Sequence, residues 1–536
     1  MFHRVVYLLL ALSPMAGCFF AQRGLVHYFQ LESYQFPGYF HTLRRNWKRA
    51  FLPGAGVAVL TFALLNIHNA LISSAGEIIE WFIAVAVLLL SLAGGVWIGK
   101  LFQDKAAKKP LVMTARVKRL YATAGVLYAL IAILIWLYLP LAALLAVLPL
   151  FLPYLVALSG LLAWPVEKII SEMYFRDAQR KLKEMPDLIR IGVTGSYGKT
   201  SVKFFLGAML SEKYSVLTTP SSYNTPMGVT RVIREKLTPS HQVFIAEMGA
   251  RHRGDIRELC RLVHPEIGVL TSVGPQHLDT FKTLDRVVST KYELIEGLPK
   301  DGHGFFADDG DICLKLYEKT EKPKTLVSIT RQDCDLWAGD IVSTPEGSTF
   351  TLHQRNGDSI ACTAKLLGRH NIQNMLLAAA VCLHLDLTLP QIARGISKLQ
   401  PVEHRLELIQ SGGLTIIDDA FNSNPRGAMA ALDVLKDFQN GRRIIITPGM
   451  VELGQKEAEF NRRFGAAMAS CVDIAILVGK KHAQPIAQGL KEADFPQSAV
   501  HLAASLNEAT KLLHSLARAG DTVLFENDLP DNYSET

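Results

Sequence analysis

Residues 192–201 read Gly192-Val193-Thr194-Gly195-Ser196-Tyr197-Gly198-Lys199-Thr200-Ser201, directly after the apolar run Leu188-Ile189-Arg190-Ile191. An apolar strand that turns on glycines into Lys-Thr, and then into the helical pattern of Val202–Leu210, has the layout of a phosphate-binding loop. The glycines let backbone N–H groups close around an anion at a helix N-terminus. In this reading Gly195, Ser196, Gly198, Lys199, Thr200 and Ser201 cradle a nucleotide. Lys199 neutralises the β- and γ-phosphates, and the Thr200 hydroxyl holds Mg²⁺. The strict G-x-x-x-x-G-K-[ST] spacing fails by one place, because Val193 stands where its first glycine belongs.

Upstream of the loop the composition changes. A bilayer-spanning helix needs roughly 20 mostly apolar residues. Leu52–Leu71, Trp81–Ile98, Ala122–Leu139 and Leu141–Ala163 meet that length, and Val5–Ala21 is a shorter fifth run. Pro14, Gly17 and Cys18 leave a cleaved-signal reading open for the fifth run, but an uncleaved first helix is favoured. The loops between the runs differ in charge. Residues 41–50 carry Arg44, Arg45, Lys48 and Arg49, and residues 100–119 carry Lys100, Lys105, Lys108, Lys109, Arg116, Lys118 and Arg119. Segment 72–80 holds only Glu77 and Glu80, and the turn at Pro140 is uncharged. The positive-inside rule then puts the N-terminus outside and everything after Trp164 in the cytoplasm, where ATP and Mg²⁺ are. This predicts a multi-pass inner-membrane protein in contact with membrane lipids. The net charge of +7 owes much to these loops. It fits anionic headgroups better than nucleic acid, for which no motif is present. The seven cysteines show no metal-ligand spacing.

From Leu188 onward short apolar strands alternate with helical patterns, which argues for parallel sheets covered by helices. Strands are predicted at 188–193, 243–247, 267–271, 414–418, 443–447, 473–478 and 522–525. Helices are predicted at 199–212, 283–297, 372–385, 425–436, 455–470 and 504–518. Residues 335–363 read as an antiparallel insertion. Ligands in such sheets bind at the carboxyl ends of strands. Val243-Phe244-Ile245-Ala246 ends in Glu247, a candidate Mg²⁺ ligand. The next strand runs into Gly274-Pro275-Gln276-His277, and Lys291 lies on a helix in Ser289-Thr290-Lys291-Tyr292-Glu293.

Together these stretches resemble the Mur ligases of cell-wall precursor synthesis, over roughly residues 187–525. The motifs are Thr194–Ser201, Asn224–Val229, Glu247–Gly254, Gly368–Asn374, His404–Glu407, Asp418–Pro425 and Gly449–Gly454, in the family's order. Within the family they are most similar to the branch that adds a dipeptide to a UDP-linked tripeptide. The resemblance implies a central P-loop ATPase domain (167–400) and a smaller Rossmann-like C-terminal domain (401–536); the apolar runs put a transmembrane domain (1–166) before them. It implies that Glu247 and His277 hold metal and that Lys291 is carbamylated to complete a second metal site. It implies that Asn371 and Asn374 face the nucleotide, with Asn374 near adenine. Arg405 would reach the γ-phosphate on domain closure, and Asp419 and Asn422 would line the cleft. The expected reaction is ATP-dependent amide formation between a carboxylate acceptor and an amino acid or dipeptide amine, through an acyl phosphate.

Two features depart from the family. Apolar helices stand where its UDP-sugar domain belongs, and Leu524–Asp531 reads Leu-Phe-Glu-Asn-Asp-Leu-Pro-Asp where the dipeptide-adding branch has Lys-Gly-Ser. Acceptor and donor therefore stay open. A lipid-linked wall precursor is the favoured acceptor. The other readings are a poly-γ-glutamate-type amide polymer synthase and a catalytically inactive membrane scaffold. Segment Gln30–Phe40 reads as an interfacial linker with aromatic anchors, and less readily as a substrate-side element.

Overall fold

The computed structural model describes residues 2–72, 76–103, 110–138, 144–220, 223–421, 423–479 and 483–528. Asn422, Lys105, Lys108, Lys109, Pro140 and Leu529–Asp531 lie outside the described residues. The chain forms two compact units, Met1–Glu172 and Met173–Thr536.

Among the described residues five helices are long and apolar enough to cross a membrane: His3–Ala21, Trp47–Leu71, Glu77–Leu101 and Ala115–Leu137 in the first unit, and Leu145–Lys183, which begins there and ends in the second. Their outward faces are apolar, with Val59, Phe62, Phe82, Trp97 and Val126 all more than 60% exposed. Polar groups turn inward instead. Gln22 is buried and accepts a hydrogen bond from the Tyr128 hydroxyl at 2.8 Å. Two short helices, Arg23–Leu31 and Phe36–Arg45, lie between the first and second long helices. They enclose an aromatic cluster of Phe29, Tyr34, Phe36 and Tyr39. Gln30 is tied to both the N–H and the carbonyl of Val112, and the Tyr39 hydroxyl donates to the Pro153 carbonyl. Segment 30–40 is therefore packed into its own unit. Arg119 grips the buried Glu167 with both Nε and Nη2, and the guanidinium of Arg116 stacks on Tyr34.

The first and third long helices touch through small residues spaced four apart: Ser13, Gly17 and Ala21 on one, Ser91, Gly95 and Gly99 on the other. Such faces let helix backbones approach closely. A Cβ on Gly95 would stand 2.3 Å from the Gly17 carbonyl oxygen, and one on Gly99 2.5 Å from that of Phe20.

The second unit is α/β. Its larger sheet has nine strands: β1 (Ile189–Thr194), β2 (Val216–Thr218), β3 (Val243–Glu247), β4 (Ile267–Leu270), β5 (His303–Ala307), β6 (Lys324–Ser328), β7 (Leu336–Thr344), β8 (Gly347–Gln354) and β9 (Ser359–Ala364), in the order β2-β3-β1-β4-β5-β6-β7-β8-β9. The first six and β7 pair in parallel, while β7–β8 and β8–β9 are antiparallel. Residues 335–363 are thus antiparallel, as expected, and form the edge of the main sheet. Leu336, Ala338, Phe350, Leu352, Cys362 and Ala364 point alternately into the core that also buries helix Arg369–His384. The six-stranded sheet holds β10 (Glu407–Ser411), β11 (Leu414–Asp419), β12 (Arg443–Thr447), β13 (Ile474–Val478), β14 (Val500–Ala503) and β15 (Thr522–Glu526), ordered β10-β11-β15-β12-β13-β14. Only β10 is antiparallel to its neighbour.

Strand β1 lies between β3 and β4, and alternate residues serve opposite cores. Ile191 and Val193 pack with helix Lys199–Leu210, while Phe244, Ala246 and Leu270 face helices Asp255–Val263 and Leu284–Glu296. Burial on both faces is what a parallel strand requires. The carboxyl ends of β1, β3 and β4 therefore open side by side.

Gly95→Leu is expected to lower the thermal unfolding midpoint of the detergent-solubilised protein by several degrees, because overpacking costs about 1–3 kcal/mol. Gly76→Ala should leave the midpoint in place, since a Cβ there meets nothing within 4 Å. Equal midpoints for the two variants would contradict the close helix crossing.

Candidate active site

The loop after β1 is shaped by two glycines. Gly195 has φ +150° and Gly198 φ +78°, and the latter is in the left-handed region that β-carbons avoid. Space forbids a side chain as well. A Cβ at Gly195 would stand 1.9 Å from Thr271 Oγ1, and one at Gly198 2.5 Å from Asn374 Oδ1. The loop is braced by the segment after β4. The N–H groups of Ser196 and Tyr197 donate to the Ser272 carbonyl at 2.9 and 3.1 Å. The Ser196 hydroxyl donates to Gly274 O at 2.9 Å, and Thr271 Oγ1 donates to Tyr197 O at 2.5 Å.

Helix Lys199–Leu210 starts immediately behind Gly198. Among the described residues, the N–H groups of Lys199, Thr200 and Ser201 have no hydrogen-bond partner. The first turn of a helix leaves such donors unsatisfied, with a partial positive charge that suits an anion. The Lys199 ammonium folds back over the loop and donates to Gly195 O (2.8 Å) and Ser196 O (3.0 Å). Burial and the nearby Arg405 bring its pKa down to about 8, against the pull of Glu247.

Glu247 ends β3 with 2% of its surface exposed. Its Oε2 accepts from the Lys203 ammonium at 2.9 Å, and its Oε1 accepts from Asn224 Nδ2 at 3.0 Å. Burial opposes the negative charge, but Lys203 and Lys199 outweigh it and hold the carboxyl below its usual range. Lys203 is fully buried, one turn beyond Lys199 and on the same helix face. Its role was not read from the sequence, although the Lys199-Thr-Ser-Val-Lys203 spacing places it there. Lys291 is also buried, and it couples electrostatically to Lys199, Asp255, Glu247 and Glu293. Burial, reinforced by Lys199, sets its pKa well below the usual lysine value. Two residues on, Glu293 accepts the N–H groups of Gly254 and Arg257, which anchors the turn that follows Glu247.

His277 lies after β4 with left-handed backbone (φ 51°). Its Nδ1 pairs with Glu452, itself left-handed at φ 64°, and Arg251 stands 3.8 Å from the other Glu452 oxygen. Glu452 stands in the Gly449–Gly454 motif, where the sequence alone assigns it no task. A His whose Nδ1 is held by a carboxylate presents Nε2 outward, a common arrangement for metal-binding histidines.

Arg405 sits between two residues of positive φ, His404 (59°) and Leu406 (49°), and stacks on the Phe421 ring at 4.7 Å. It interacts electrostatically with Asp419, Glu247, Lys199 and Lys203. Burial lifts the Asp419 carboxyl to about 6, against the pull of Arg405. Arg426 donates to Ser272 Oγ at 2.8 Å. Asn374 packs its side chain against Gly198 of the loop, and Asn371 Nδ2 is spent on the Leu367 carbonyl at 2.8 Å. Among the described residues the close-set group of three His and acidic ligands is His404, Glu407 and Asp418, beside Arg405 and apart from the expected metal residues. On β15 Glu526 is fully buried, accepts from Thr447 Oγ1 at 2.7 Å and pairs with Ser423. Burial raises its carboxyl to about 7.

Lys199, Lys203, Glu247, Lys291 and Arg405 are electrostatic neighbours, with His277 coupled to Lys291, Asp419 to Arg405, and Asn374 packed on the loop. The donor set suits a nucleotide with a divalent cation: three open N–H groups, a lysine and an arginine for the polyphosphate, and the ionised Glu247 with His277 for the ion.

Comparison with known proteins agrees with this arrangement. Residues 193–382 match the Mur ligase middle domain, and residues 404–526 match the Mur ligase glutamate ligase domain. The UDP-N-acetylmuramoyl-tripeptide–D-alanyl-D-alanine ligase of Escherichia coli K12 is 31% identical over 343 residues, 62% of this chain and 75% of the relative. Its Bacillus subtilis 168 counterpart is 29% identical over 339 residues, 63% and 72% of the two chains. The crystal structure of MurF from Acinetobacter baumannii superposes with a TM-score of 0.61 at 25% identity, over 67% of this chain and 77% of that one. A glycine turn opening onto a helix, a glutamate at the end of β3, a buried lysine and an arginine at the start of the second sheet, in this order and over this length, mark the chain as a member of the Mur ligase family of ATP-dependent, ADP-forming ligases.

Proposed function

We propose that this chain is a membrane-embedded amide ligase that activates a carboxylate at the cytoplasmic membrane face and joins it to an amino acid or dipeptide amine. The reading rests above all on one observation: Lys199, Lys203 and Arg405 gather on the buried Glu247 at the mouth of a helix with open N–H groups.

In this reading the loop Gly195–Ser201 and Lys199 hold the ATP phosphates, with Asn371 and Asn374 on the nucleotide side. Thr200, Glu247, His277 and a carbamylated Lys291 would hold Mg²⁺, which supplies positive charge where carboxylate and phosphate oxygens meet. The depressed pKa of Lys291 leaves it a free amine. Such an amine adds to CO₂, loses a proton and becomes a carbamate. The acceptor carboxylate attacks the γ-phosphorus, the bond to the β-phosphate oxygen breaks, and ADP leaves an acyl phosphate. The donor amine then attacks the acyl carbon. Phosphate departs, the amine loses a proton, and the amide remains. Lys199 and Arg405 stabilise charge on the transferring group, and closure of the cleft by Arg405 and Asp419 keeps water from the acyl phosphate.

Five apolar helices exceed what tethering needs, since one would suffice. We read the first unit as spanning the membrane and holding a lipid-linked acceptor, its phosphate headgroup near the basic segments Arg44–Arg49 and Lys100–Arg119. The donor stays open between an amino acid and a dipeptide, because the stretch Leu524–Asp531 lacks the Lys-Gly-Ser of the dipeptide-adding branch.

Full-length protein in nanodiscs is expected to ligate a lipid-linked acceptor, while a chain beginning at Glu167 binds ATP but leaves that acceptor untouched. Ligation of a UDP-linked acceptor by the shortened chain at the full-length rate would reduce the helices to an anchor. Lys291→Ala is expected to lower turnover on the order of 10²-fold, with partial recovery in added short carboxylic acids. High activity indifferent to such additives would remove the carbamate role.

A further inference from the structure

Glu247 is already charge-compensated before any ligand arrives. Lys203, with 0% of its side chain exposed, lies 2.9 Å from Oε2, and Asn224 occupies Oε1. Around this pair stand Lys199 and Arg405, each coupled electrostatically to Glu247. Three cations therefore face Glu247, and Arg405 among them also faces Asp419. A bare divalent cation entering this cleft meets a carboxylate whose charge is spent, within a cluster of net positive charge and little water to screen it. A nucleotide polyphosphate reverses that balance, because its charges offset Lys199 and Arg405 and turn the cluster as a whole negative.

We propose that Lys203 is a built-in counter-ion to Glu247 that keeps divalent metal off this carboxylate until a nucleotide polyphosphate is bound, so that metal loads with the nucleotide and not before it. This rests on the reading of Glu247 as a metal ligand. Lys203 is a positioning residue here: it acts through Glu247 and touches neither reactant. A purely structural ion pair would give stability alone. The counter-ion role also sets metal affinity, lowering that of the nucleotide-free site. Removing the ammonium leaves an unpaired buried carboxylate, which is costly to the empty protein and makes it seek another cation.

The test is calorimetric titration of full-length, detergent-solubilised protein with Mn²⁺, without nucleotide and in the presence of a non-hydrolysable ATP analogue. Wild-type protein is expected to take up Mn²⁺ at least tenfold more tightly with the analogue, after correction for Mn²⁺ bound by free analogue. Lys203→Met is expected to bind Mn²⁺ without nucleotide at least tenfold more tightly than wild type, to lose that gain in the Lys203→Met/Glu247→Gln double variant, and to show a thermal midpoint that Mn²⁺ alone restores. Lys203→Arg, which keeps the charge, should behave as wild type. Unchanged nucleotide-free affinity in Lys203→Met overturns the proposal. So does a wild-type affinity for Mn²⁺ that is the same with and without the analogue, a measurement that needs no variant to fold. If Glu247→Gln leaves analogue-dependent Mn²⁺ binding intact, the assignment of Glu247 to the metal fails instead, and the two failures are distinct.

Discussion

A carboxylate with almost no exposed surface must find its positive charge inside the protein, and Glu247 sets this demand at the centre of the cleft. Lys203 meets it directly, and Lys199 and Arg405 add to it from a distance. These cations are held on separate elements: two on the helix that starts at Lys199, one at the entry to the second sheet. Their mutual repulsion is tolerable only while something negative stands among them. The site is therefore built with an excess of positive charge whose natural complement is a polyanion.

Backbone geometry makes that complement specific. Gly195 and Gly198 allow the chain to turn from β1 into the helix within a few residues, and neither could carry a Cβ beside Thr271 and Asn374. The segment after β4 uses up the N–H groups of Ser196 and Tyr197, so the loop is shaped before a ligand arrives. What remains open is the first turn of the helix. Preorganised donors of this kind stabilise charge without reorganising at the moment of reaction. The pairing of His277 with Glu452, and of Arg426 with Ser272, brings groups from the six-stranded sheet to the same strand ends.

Much of this was legible in the sequence because each signal was local. The strands at 243–247 and 443–447 announce themselves as short apolar runs, and the residues after them are polar by necessity. Edge and minor strands were not legible. β2 is three residues long, and β14 is half-exposed at the sheet margin, so neither carries a continuous apolar run. Segment 335–363 differs in its alternation from the buried parallel strands, which marks it as antiparallel, but only the structure shows that it extends the main sheet as an edge with one solvated face. Lys203 and Glu452 were missed for another reason. A lysine on an amphipathic helix ordinarily faces water, and only the arrival of β3 beside that helix turns Lys203 into a buried partner. Glu452 depends on a contact 175 residues distant in sequence, to His277.

The cleft's excess positive charge is tested most directly by a structure of the full-length protein with a non-hydrolysable ATP analogue and Mg²⁺. The expected result is a triphosphate seated on the N–H groups of Lys199, Thr200 and Ser201, with the Lys199 ammonium moved off the carbonyls of Gly195 and Ser196 and onto phosphate oxygens. A nucleotide bound elsewhere, with Lys199 still folded onto its own loop, would contradict it.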